Sequence, residues 1–374
     1  MNIAPYTKDK FSIKALPLRL TFFLLFLGTV KLPAENITNL LREASYAYAQ
    51  QNYERALDFY TKAVELETNS FFAYTGRGGA YFYVGQIDKA EKDFNKAVDL
   101  ATNNIPLSYA YLSRGYFYQQ TTNSEKAVDD YSKAIQINPS FQSAYANRAS
   151  AYNSQRRYDL SIIDCNMAIM LNPDGVDAYR YKGDAYYGKQ EYDKAVEAFS
   201  KAIELDTNSW WTYYARAVAY SGKDDFPNAI RDFNKVIQLQ PANADAYSCR
   251  GLTKSRNGDF KSGIEDCKKG IQLDTNCAVA FNNLAWLLAT APKAKLRDGQ
   301  KAIDYAKRAC ELTSWKDAYC LGTLAAAYAE AGNFDEAVKW ERKCIIMGLP
   351  DKEMEQARRE LRLFDQKKPY HSDK

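Results

Sequence analysis

The sequence predicts an all-α solenoid of stacked helical hairpins, and three observations carry that prediction. A repeat of about 34 residues runs from Ile37 to Asp351. Gly78, Gly115, Ala149, Gly183, Ala217, Gly251 and Ala285 stand in register, every step being 34 except the first, which is 37. Two further rows of small residues keep the beat, one through Ala56, Ala90 and Ala195, the other through Ala63, Ala97 and Ala202. Repeats of this length cannot bury an apolar face alone and therefore stack on their neighbours.

Residues 176–209 show the physics of one repeat. Tyr179, Gly183 and Tyr186 are four and three apart, which sets them on one helical face. After a turn at Gly188, Lys189 and Gln190, a second amphipathic helix is marked by Tyr192, Ala195, Phe199, Ala202 and Leu205. Small residues let the two helices approach, and the large rings fill the space around that contact. Pro139, Pro173 and Pro241 sit at the ends of second helices, where a missing N–H stops the helix cheaply. Thr68, Thr102, Thr207 and Thr275 take that place elsewhere, in turns.

This spacing of aromatic, Gly/Ala, Tyr, Ala, Phe/Tyr, Ala and Pro resembles the tetratricopeptide repeat (TPR). Nine copies can be counted, at 37–70, 71–104, 108–141, 142–175, 176–209, 210–243, 244–277, 278–317 and 318–351. The resemblance implies a right-handed superhelix whose first helices line a concave surface. Repeat one lacks a large residue at its eleventh position, where Ala47 stands, as an end repeat can. Three extra residues, 105–107, precede repeat three. Repeat seven has Lys254 in place of the usual tyrosine and Gly263 and Gly270 in place of alanines. Helix propensity alone makes it the softest repeat, opening faster than repeats four and five. Repeat eight has a longer inter-helix loop, 290–298, with Pro292, Lys293, Lys295 and Arg297. Residues 282–340 resemble one bacterial TPR subfamily, although Gly322 stands where that pattern has an acid. Residues 352–364 read as a capping helix over the last hairpin, and 365–374 as a loose polar tail.

The segment from Met1 to Ala34 stands apart from the repeats. Lys8, Lys10, Lys14 and Arg19 precede an 11-residue apolar run, 20–30, followed by Leu32, Pro33 and Ala34. A basic segment, a short apolar core and a small residue before Glu35 read as a secretory signal peptide. The expected product is exported, periplasmic or secreted; an uncleaved anchor tethering the chain to a membrane is the alternative. Five of the 50 basic residues and one of the 46 acids lie in this segment, which leaves 45 of each in the remainder. A neutral solenoid does not suit nucleic acid.

Little catalytic chemistry is available. The single histidine, His371, stands near the end of the chain, which excludes His-dependent triads and multi-His zinc sites. Gly76–Arg77–Gly78–Gly79 falls inside a first helix at packing positions and does not read as a phosphate cradle. The acid pairs Asp129–Asp130 and Asp224–Asp225 are expected on solvated positions. Seven cysteines show no CxxC spacing; small-hydrophobe packing is expected for them, with Cys310 and Cys320 the pair to inspect for a disulfide. The sequence thus predicts a non-enzyme without cofactor or metal.

The TPR resemblance implies groove-facing positions on the first helices. Carried over, these give the aromatics Phe72, Phe82, Tyr83, Tyr109, Tyr116, Tyr187, Trp211, Tyr214, Trp286 and Tyr319 and the charged Asp177, Arg180, Asp184, Asp245, Arg256 and Glu330. Trp211 and Tyr214, three apart, point to one side, with Arg180 at the position equivalent to Tyr214 one repeat earlier. Such a face suits a protein or peptide with an apolar anchor and an acid. Several of the rings are also expected to pack between adjacent first helices. The basic row Arg77, Arg114, Arg148, Lys182, Arg216 and Arg250 turns toward the hairpin partner and reads as structural. A protein-binding adaptor is predicted; a self-assembling homo-oligomer is the alternative.

Overall fold

The computed structural model describes residues 36–372, and every regular element among them is helical. The N-terminal segment read as a targeting signal lies outside the described residues. No helix among them is long and apolar enough to cross a membrane. The chain divides into two compact units at residues 189 and 190.

In the first unit, α1 (Ile37–Ala49) pairs with α2 (Tyr53–Leu66), α3 (Phe71–Tyr83) with α4 (Ile87–Leu100), α5 (Asn104–Gln120) with α6 (Ser124–Ile137), and α7 (Gln142–Ser154) with α8 (Tyr158–Leu171); α9 (Val176–Gly188) closes it. The second unit runs from α10 (Tyr192–Leu205) through the hairpins α11 (Trp210–Gly222) and α12 (Phe226–Leu239), α13 (Ala244–Arg256) and α14 (Phe260–Leu273), α15 (Ala278–Thr290) and α16 (Gly299–Leu312), and α17 (Ala318–Glu330) and α18 (Phe334–Met347). The final helix, α19 (Asp351–Asp365), packs on α18 and α17, at the place expected for a cap. The extra stretch before repeat three lengthens a helix rather than a loop, since α5 begins at Asn104 and has 17 residues.

Packing follows the small-residue rows. Ala56, Ala90, Ala127, Ala195 and Ala229 are wholly buried, and large rings such as Tyr60, Phe94, Tyr131, Phe199 and Phe233 close over them. A Cβ at Gly115 would come within 2.8 Å of the Tyr131 ring, so that position must be glycine for the ring to sit where it does. The hairpin turns share one backbone device. Gln51, Gly85, Thr122, Arg156, Gln190, Asp224, Gly258 and Gly332 all have positive φ, one in each repeat except the eighth with its longer loop, just after the first helix. Asn52, Asn123, Asp225, Asp259 and Asn333 follow at once and cap the second helix by accepting a backbone N–H. Ser262 hydrogen bonds hold the Asp259 carboxyl below its ordinary pKa.

Two expectations, on Asp130 and on the tail, are corrected. Asp130 is buried, not solvated, while its neighbour Asp129 is exposed, because successive helical residues point about 100° apart. The cysteines pack as the small hydrophobes expected: all seven are free buried thiols, so Cys310 and Cys320 form no disulfide, and burial pushes Cys310 up to about 12. The tail is not loose: Ser372 donates its N–H to the Thr290 carbonyl at 2.8 Å, and His371 Nε2 lies 2.7 Å from Glu330 Oε2. The glycines of repeat seven, expected to soften it, are also close-approach points between its two helices. A Cβ on Gly263 would lie 2.5 Å from the Gly251 carbonyl oxygen, and one on Gly251 would lie 2.6 Å from that of Gly263.

Candidate functional site

The first helices that carry the predicted binding residues are held by a row of buried ion pairs. Arg114 Nε and Nη2 donate to Asp130 Oδ2 and Oδ1 at 2.7 and 2.8 Å, and its Nη1 donates to Asn95 on the preceding repeat's second helix at 2.9 Å. Arg148 repeats this with Asp164 and Ser132, Arg216 with Asp232 and Ser200, and Arg250 with Asp266 and Asn234. Arg77 pairs likewise with Asp93. Four of these arginines thereby fix a first helix to two second helices at once, and the bidentate fork sets its rotation as well as its distance. Flanking tyrosines cover the guanidiniums, as Tyr111 and Tyr118 do over Arg114 at 5.4 and 5.9 Å. The arginine row is legible in the sequence as structural. Its aspartate partners recur with the same steps as the arginines, so that register alone is enough to find them.

On the first unit, every predicted residue is partly exposed, and Phe72, Phe82, Tyr83 and Tyr109 pack against further rings. Tyr83 stacks on Tyr53 at 4.4 Å, Phe82 meets Phe117 edge-on at 6.0 Å, and Tyr109 sits 4.7 Å from Phe141. Phe72 packs beside Phe71 at 3.9 Å and into the α1–α3 core. Burial, with Tyr116 and Tyr53 beside it, raises the Tyr83 phenol. Tyr116, Asp184 and Tyr187 are half-buried. Arg180 is joined to Asp177 at 3.3 Å, with its guanidinium 4.3 Å above the Tyr181 ring.

On the second unit Trp211 is partly exposed, whereas Tyr214 and Trp286, expected in the groove, are buried. Trp211 is partly exposed and stacks on Tyr214 at 5.7 Å with an interplanar angle of 8°, so the two do share a side. Tyr214 itself is only 3% exposed. Its hydroxyl lies 3.1 Å from Cys249 Sγ and its ring meets Phe233 edge-on, which makes it a core residue supporting Trp211. Trp286 is also buried, under the returning tail: Tyr370 lies 5.9 Å from it. A segment from the far end of the chain does the covering, and no local spacing signals that.

Family models described as tetratricopeptide repeat match residues 73–104, 108–141, 142–174, 212–243 and 318–348, and one described as TPR repeat matches 183–224. Together these matches span over half of the chain. Among solved structures, the chain is similar to a tetratricopeptide repeat protein from Parabacteroides merdae, with 22% identity and a TM-score of 0.52 over 66% of this chain and 97% of that one. It is also similar to yeast Tom70, with 14% identity and a TM-score of 0.50 over 93% of this chain and 91% of that one. At such identities the likeness is one of fold.

Proposed function

This chain belongs to the tetratricopeptide-repeat family, and we propose on that footing that it is a non-catalytic scaffold that binds a partner polypeptide on its first-helix faces, outside the cytoplasm. One observation carries the reading most directly: Trp211 stays partly exposed while Tyr214, Cys249 and Phe233 hold the ring beneath it rigid. A pre-positioned indole buries a large area on binding at little cost in side-chain entropy, which is the profile of an interface hot spot. The partly exposed aromatics of the first unit, with Arg180 beside Asp177, supply the same chemistry there. The ligand that fits is an extended or helical segment carrying an apolar anchor.

The two rings of the Trp211–Tyr214 stack are expected to part company on mutation. Peptides selected by display against the full chain should lose about thirtyfold in affinity to Trp211→Ala, equivalent to roughly 2 kcal/mol, with the melting curve unchanged. Tyr214→Ala should lower the melting temperature, because it empties a core position. Selected peptides that bind the Trp211→Ala chain as tightly as the original would remove this site.

Export rests on the basic segment, the apolar run and Ala34 within residues 1–34. Mass spectrometry of the chain recovered from producing cells should give an N-terminus near Glu35. Intact Met1 in a membrane pellet would mean a tether instead.

A further inference from the structure

The apolar stripe of α19 contains two acids. Glu353, Ala357, Glu360 and Phe364 are its buried residues, so two glutamates lie on the side that faces α18 and α17. A third, Glu341 on α18, is 1% exposed, and its Oε2 has no hydrogen-bond partner among the described residues. These carboxylates line one cavity together with Trp286, Tyr319 and Gln356. Glu353 stands in the first turn of α19, where free backbone N–H groups favour negative charge. Glu360 accepts one hydrogen bond, from Gln356 at 2.7 Å. Glu341 has neither aid.

Buried acids with no ion pair among the described residues are either held neutral or offset by a bound cation. Among the described residues no three His, Cys, Asp or Glu side chains converge as metal ligands would, whereas two aromatic rings border the cavity. Its volume is about 40 Å³. A single water needs roughly 10–15 Å³ on this measure, so an ammonium head with one or two methylenes fits. Rings beside carboxylates suit such a group, because the ring faces and the acids attract the same charge. Tyr319 and Gln356, both partly exposed, mark the mouth.

We propose that the second unit carries a binding pocket for an alkylammonium group, lined by Trp286, Tyr319, Glu341, Glu353 and Glu360. The pocket is separate from the Trp211 face, and its failure would leave the scaffold reading standing. Without a ligand, burial and the Glu360 charge raise the Glu341 carboxyl, and burial pushes Glu360 to about 7. Other charged and titratable groups lie around the acids. Arg359 is near Glu360, and Arg256 on α13 is near Glu353. Tyr319 on α17 is pushed to about 12 by burial and Glu353, and burial with Glu341 raises the Cys344 thiol on α18. An ammonium ion needs the acids ionised. Raised carboxyls ionise as pH climbs, so binding must strengthen with pH across the neutral range.

The test is calorimetric titration of the full chain with n-butylamine and with N-acetyl-Ala-Lys-Ala amide, each against a neutral counterpart, n-butanol and the norleucine peptide. Butylamine should saturate with a dissociation constant on the order of millimolar, at least tenfold tighter than butanol. Its affinity should rise about tenfold from pH 6 to pH 8, as one group titrating near 7 requires. Replacing both acids, Glu341→Gln with Glu360→Gln, should abolish binding. A lysine peptide that also saturates identifies a partner's side chain as the source; saturation by butylamine alone identifies a small free amine, and both outcomes support the pocket. Equal binding of amine and alcohol, a pH-independent affinity, or no binding by either amine overturns it, leaving a pair of acids that merely share a proton. These comparisons use the unaltered chain and decide the matter however the double variant folds.

Discussion

Asp130→Ala is expected to destabilise the first unit by about 3–5 kcal/mol, the range for removing one partner of a buried ion pair. The Asp130 side chain is 3% exposed and receives two nitrogens of Arg114, whose own side chain is 16% exposed. Removing the acid leaves a guanidinium that cannot deprotonate, held between Tyr111 and Tyr118 with Asn95 still accepting from it. Most of the cost is therefore the uncompensated charge rather than the lost attraction. It follows that Asp130→Leu combined with Arg114→Met should recover most of the loss, since apolar replacement of a whole buried pair is often near neutral. Urea unfolding of the single and double variants measures both figures. Hydrogen exchange should locate the damage in α5 and α6 and their immediate neighbours, as expected where each repeat contacts only the next. A single variant within about 1 kcal/mol of the original chain would show that the pair is more solvated than its burial implies.

The contrast between this ion-pair row and the binding residues shows where sequence reasoning reaches and where it stops. The period specifies the hairpins, because small and large residues at constant register dictate how two helices meet. The partner of Arg114 is within reach by the same logic. Reading Asp129 and Asp130 as one solvated pair hides it, although one faces water and the other the hairpin. The identity of the Trp211 side is legible, since residues three apart share a helical face. The depth of Tyr214 is not: it depends on Cys249 and Phe233 on other helices. Trp286 is further still from local inference. Its neighbours include Tyr370, brought back by a tail pinned at Thr290 and Glu330. The buried glutamates of α19 stand in the helical pattern, at positions 353 and 360 on the stripe of Ala357 and Phe364, but a charged residue on an apolar stripe reads as noise until a cavity appears beside it.

Gly263→Ala sets helix propensity directly against packing, and the expected sign is destabilisation. Propensity alone favours alanine in a helix interior by about 0.8–1 kcal/mol. The added methyl would lie 2.5 Å from the carbonyl oxygen of Gly251, a backbone atom that no rotamer change can move. Gly251 meets Gly263 in the same way from the other helix, so α13 and α14 touch backbone to backbone. Relieving the clash must separate the two helices and strip contacts from Cys249, Leu252, Ser255 and Cys267, all buried around it. Overpacking of this kind costs about 1–3 kcal/mol, and the rigidity of the obstacle places this case at the upper end, so a net loss of about 2 kcal/mol is expected after the propensity gain is subtracted. Gly322→Ala is the control: its nearest obstacle is the Cys344 side chain at 3.3 Å, and its change should stay small. Denaturant midpoints of the two variants decide between the readings. The same argument reverses the expectation for the unaltered chain, in which α13 and α14 should exchange their amide hydrogens no faster than α11 and α12. A Gly263→Ala chain more stable than the original by the propensity increment would mean that the hairpin is loose enough to accept a methyl, and repeat seven would then be the soft point its glycines suggest.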